Sequence, residues 1–161
     1  MTHPSFFYYR LFSWVERQES MRYDTDYYQW LKETSYLLEQ GKFSELDIPN
    51  LIDEIEAMGK SQKRAIESYL KVLLLHLLKW KYQPDFRSGS WQGSIYNARK
   101  AIKKRLQESP SLKSYPPEVL RECYEIARYN AHWETGLSLE TFPEDSPFSL
   151  EQILNEDFLP F

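Results

Sequence analysis

Three residues far apart in the chain, Glu54, His76 and Glu134, have the types that could do chemistry together. One imidazole with two carboxylates suits iron, manganese or zinc, or an acid–base group. The spacing argues against the metal. Metal sites in helix bundles usually carry Glu-x-x-His on one helix, and no such spacing occurs here. His132 and Glu134 are two apart and point in different directions on a helix. His76 lies in the most apolar stretch, on the helical face of Tyr69, Leu73 and Trp80. The plainer expectation is a buried structural imidazole, hydrogen-bonded to a carboxylate. No metal and no cofactor is expected.

Glu54 and Glu134 fall on or beside apolar stripes, where a carboxylate is costly unless it is paired. Lys79, Arg99 and Arg64 are the cations that could reach them. The sequence therefore predicts a polar cluster of Glu54, His76, Lys79, Arg99 and Glu134 that fixes how helices register. A ligand pocket built from the same groups is the functional alternative.

The second constellation is basic. Arg99–Arg105 holds five bases in seven residues. Lys100, Lys103 and Lys104 share a helical face, and with Arg105 they form a candidate anion-binding surface. They belong to a wider asymmetry. Lys60–Arg105 carries twelve bases against two acids, residues 1–59 five against eleven, and residues 106–161 three against eleven. Either acidic elements cover the basic ones, the fourth helix with Glu118, Glu122 and Glu125 foremost, or a basic face meets an anionic partner. The pI near 5.5, the acidic ends and the absence of helix-turn-helix spacing argue against nucleic acid. No nucleophile motif or phosphate-cradling glycine loop selects an enzyme.

The elements that must position these groups are helices. Twenty Leu and eight Ile against three Val favour helix over strand. The length is that of one domain. The single cysteine, Cys123, excludes an intrachain disulfide and fits a reducing cytoplasm. No apolar run approaches the roughly 20 residues that span a bilayer. Capping and period predict a helix from about Thr25 to Gln40, with Gly41 as its left-handed end. A second starts near Asp47 with an apolar stripe of Leu51, Ile52, Ile55 and Met58. Gly59 should kink or break it, and a restart at Ser61 runs to Tyr82 as the central, most buried element. Helices over Ser90–Glu108 and Pro117–Thr135 follow, the latter closed by Gly136, with one short helix near Leu150–Glu156. Leu120, Cys123, Tyr124, Ala127 and Ala131 should face inward, with Asn130 and Glu134 beside them.

The runs Asn50–Glu56, His76–Trp80 and Tyr82–Pro84, then Ser90–Trp91, Ser109–Leu112, Glu134–Gly136 and the ending Phe142–Pro143 with Pro147–Phe148, resemble the bacterial family known as domain of unknown function 29. The likeness covers Tyr23 to Pro160. It implies an all-helical fold and no activity, and a bacterial cytoplasmic context, since members are abundant in photosynthetic bacteria.

Residues 1–20 lie outside the resemblance and precede a credible start at Met21. They hold Phe6, Phe7, Tyr8, Tyr9, Leu11, Phe12 and Trp14, so they are expected to form a helix that docks on the bundle or across a homodimer. The sequence thus reads as an all-α single-domain bundle of about five or six helices, residues 21–161, with the Ser61–Tyr82 helix central. Its expected role is a cytoplasmic protein-interaction or adaptor module with a protein partner, and no membrane. The alternatives are a small-molecule or metal-dependent enzyme using Glu54, His76 and Glu134, and a nucleic-acid-associated factor using the basic third helix.

Overall fold

Capping chemistry sets most of the helix ends. The computed structural model describes residues 22–161, which are all-α, with no strand among them. The expected docking helix over residues 1–20 lies outside the described residues. Two compact units divide at Gly59 and Lys60, where the chain also turns from acidic to basic.

In the first unit, α1 spans Tyr27–Glu39. The Asp26 carboxylate accepts from the Gln29 amide at 3.0 Å, satisfying one of the first turn's orphan donors. Gly41, at φ 67°, closes the helix. Its amide donates to Leu38 O at 3.1 Å and that of Lys42 to Leu37 O at 2.9 Å, the paired bonds of a Schellman motif. Helix α2, Ile48–Tyr82, is capped by Asp47, which accepts from the Asn50 amide at 3.3 Å. Pro49 sits in the first turn, where its missing N–H leaves nothing unpaired.

The break expected at Gly59 does not occur: α2 runs unbroken for 35 residues. A glycine inside a helix costs only about 1 kcal/mol, which the helix's own hydrogen bonds absorb. The stripe of Ile52, Ile55 and Met58 does not face a core either. All three are exposed, as is Ile48.

The second unit, Lys60–Phe161, is built around the remainder of α2. Leu70, Leu73, Leu74, Leu77 and Leu78 are fully buried there. They form one core with Ile95, Ala98 and Ile102 of α3 (Gly89–Glu108) and with Cys123, Tyr124, Ala127 and Ala131 of α4 (Tyr115–Thr135). Phe142, Phe148 and Ile153 complete it from the tail, where α5 (Leu150–Leu154) opens on a Ser149–Gln152 capping box. Ser88 caps α3 by accepting from the Trp91 amide at 3.4 Å. Gly136 ends α4 at φ 71°, a conformation that costs a side-chain-bearing residue energy. Of the inward positions expected on α4, Leu120 is half-buried and Asn130 is exposed.

Candidate functional site

Several long cationic side chains of the second unit are occupied within the fold, Lys79, Arg99, Lys100 and Lys103 among them, and what they hold bears on what the surface can offer. Lys79, in the last turn of α2, is nearly closed from solvent. Its Nζ lies 2.6 Å from Glu134 Oε2 and 4.6 Å from the centre of the Trp91 ring. Carboxylate and indole face together replace the water that the ammonium has lost.

Arg99 has 3% of its surface exposed and meets main chain instead of a carboxylate. Nε donates to Ile153 O at 2.8 Å, Nη1 to Glu156 O at 3.3 Å and Nη2 to Phe158 O at 2.7 Å. One planar fork thus satisfies carbonyls that the end of α5 and the chain after it leave open. Burial draws the guanidinium below its ordinary pKa, and the nearby charges of Glu156 and Asp157 oppose the shift.

The expected five-residue cluster is therefore dispersed. Lys79 and Glu134 meet, while Arg99 serves the tail. His76 is half-buried rather than buried, and its partner is no carboxylate: Nδ1 donates to Val72 O, one turn back on the same helix, at 2.8 Å. Glu54 belongs to the first unit, where it accepts from Tyr23 at 2.6 Å and Tyr27 at 2.7 Å. Those hydroxyls hold the carboxyl below its usual range, and the same contact pushes Tyr23 up to about 12. Among the described residues no group of three His, Cys, Asp or Glu converges as metal ligands would.

The basic stripe on α3 is largely answered as well. Lys100 and Lys103 converge on Glu156, at 3.1 and 2.6 Å, and Lys104 reaches Glu108 at 3.7 Å. The two lysines hold Glu156 below the usual carboxylate range, the Lys103 bond most of all. Arg105 lies 5.0 Å over the Tyr69 ring and donates to Ala101 O at 3.2 Å. The acids seen to pair with this stripe are Glu156 and Glu108, in place of the expected Glu118, Glu122 and Glu125 of α4. Beside it runs an open groove of about 660 Å³ lined by Ile102, Leu106, Leu154, Lys103, Lys113 and Glu156 among others.

Among the described residues, two apolar rows stand out as exposed, one on α2 and one on α4. The first unit exposes Ile48, Ile52, Ile55 and Met58 at spacings of four, three and three, with Met58 67% exposed. On α4 of the second unit, Ile126, Tyr129 and Trp133 are exposed at spacings of three and four, with Trp133 at 77%. Sequence reasoning read Leu51, Ile52, Ile55 and Met58 as an apolar stripe without saying what covers it, and passed over the second. The second had a signal: the inner face of α4 is already filled by Cys123, Tyr124, Ala127 and Ala131, so a further apolar row had to point outward.

Sequence reasoning also missed a set of side-chain ties to main-chain carbonyls, because an acceptor carbonyl has no residue signature. Arg128 donates to Phe142 O at 2.8 Å and Leu139 O at 3.2 Å. Tyr124 donates to Pro143 O, and His132 Nδ1 to Leu137 O, each at 2.6 Å. These pin the segment after α4 to the helix. Tyr115 donates to Glu67, which pushes its pKa up to about 12.

No curated protein and no solved structure matches this chain. The model of one family matches residues 22–159, nearly the whole described chain. With its run of helices and capped turns in that span, the chain belongs to the family described as domain of unknown function DUF29.

Proposed function

We propose that this chain is a non-enzymatic protein-interaction module and that the apolar face of α2 in the first unit receives its partner. The exposed row Ile48, Ile52, Ile55 and Met58 carries this reading. Scattered exposed apolar residues are ordinary, but a contiguous helical row of large ones is the mark of a contact surface. The nucleic-acid alternative is weakened by Glu156 and Glu108, which already hold three of the lysines it would use. The lone thiol of Cys123, buried and unpaired, suits a reducing compartment such as the cytoplasm.

Co-purification from the native host tests the proposal. The full chain should recover a partner in stoichiometric amount, and the Ile52→Glu, Ile55→Glu double variant should lose it while keeping its helical circular dichroism. Equal recovery by both proteins would refute the role of this face.

A further inference from the structure

We infer that the outer face of α4 is a second docking surface, whose occupant is a cationic amphipathic helix of a protein partner. The inference deepens the interaction reading by giving the second unit a binding chemistry of its own. Glu122, Ile126, Tyr129 and Trp133 follow one another at spacings of four, three and four, so they form a single row along the helix. From Glu122 to Trp133 the row spans eleven rises and is about 16 Å long, the length over which two helices can pack ridges into grooves. Trp133, 77% exposed, is the kind of side chain that anchors such contacts.

Charge selects the occupant. Glu118 and Glu125 lie one turn away along the same side of the helix, so with Glu122 three carboxylates accompany the apolar row. Lys and Arg on a partner helix would meet them. Nucleic acid and anionic lipid would be repelled. A second copy of this chain would have to offer cations other than Lys100, Lys103 and Lys104, which are drawn to Glu156 and Glu108. A protein helix with Leu-like residues on one side and Lys or Arg beside them meets both the row and its rim.

The probe is a fluorescent peptide with Leu along one helical face and Lys flanking that face on both sides, titrated into the full chain and followed by anisotropy. A scrambled peptide of the same composition is the control. The patterned peptide should bind at least tenfold tighter than the scrambled one, and more weakly as salt is raised. Trp133→Ala and Glu122→Lys should each weaken it about tenfold or more. Glu144→Lys, the same charge change at an exposed position outside α4, should leave it within about twofold. Equal binding of the two peptides, or indifference to Trp133→Ala and Glu122→Lys, would overturn the inference. So would sedimentation showing self-association of the chain that Trp133→Ala abolishes, since the face would then belong to a second copy. None of these outcomes touches the α2 face, which Ile52 and Ile55 test separately.

Discussion

Lys79 and Glu134 meet at 2.6 Å across α2 and α4 with unequal exposure, 11% for the lysine side chain and 47% for the glutamate. The ammonium has given up its water and the carboxylate has kept half of its own. Removing the acid therefore harms the pair mainly by stranding the cation.

The Glu134→Gln variant should be less stable by about 1–3 kcal/mol in denaturant unfolding, since the half-exposed acid limits the loss. Lys79→Met in that background should recover part of it, because no charge is then left buried. A double-mutant cycle with coupling near zero would show that Trp91 and water alone satisfy the ammonium.

Arg99→Lys should loosen the end of the chain. A lysine cannot reproduce three donors in one plane, so the carbonyls of Ile153, Glu156 and Phe158 cannot all stay satisfied. A loss of about 2–4 kcal/mol is expected, with faster amide hydrogen exchange concentrated in the chain after α5. Unchanged exchange there would mean that the tail is held by packing of Phe148, Ile153 and Phe158 alone.

Stability should fall as the solution is made alkaline. Burial pushes the Cys123 thiol from 9.0 up to about 11 and Tyr124 from 10.0 up to about 12. Both groups favour the protonated form when folded. Their contribution is complete below the unfolded values and is lost as pH rises through the folded ones, a window of about 9 to 12. Cys123→Ala should flatten the lower part of that fall. The thiol should also react with an aromatic disulfide reagent only after unfolding, and rapid labelling of the native protein would contradict its burial.

Glu156 governs how basic α3 looks from outside. Glu156→Ala frees Lys100 and Lys103, so the variant should elute from a phosphorylated resin at higher salt than the wild type does. Matching elution would show that the two lysines are screened by other means.

What was legible in the sequence is what local chemistry determines. Gly41, Asp47 and Gly136 cap helices because each supplies a left-handed residue or a side-chain acceptor at a helix end. The Leu70–Leu78 core could be read because that segment is apolar on most of its faces. Gly59 misled because its intrinsic cost is small beside the bonds that carry α2 through it. Ile52 and Ile55 were legible as an apolar stripe and no further: a helical period reveals an apolar face without revealing whether this chain covers it. Arg99 was expected beside a carboxylate, yet a guanidinium is equally well received by three carbonyls, which any residue can provide. The charge boundary near Lys60 was visible as composition, and its coincidence with a unit boundary emerged only from the contacts.

The central claim is that the α2 row is surface reserved for a partner rather than core. Equilibrium unfolding of the isolated Ile52→Glu, Ile55→Glu double variant tests it most directly. Each change should shift stability by no more than about 0.5 kcal/mol, as surface substitutions do. A loss of about 2–5 kcal/mol per site, the cost of disrupting a packed interior, would make the row part of the core and contradict the account.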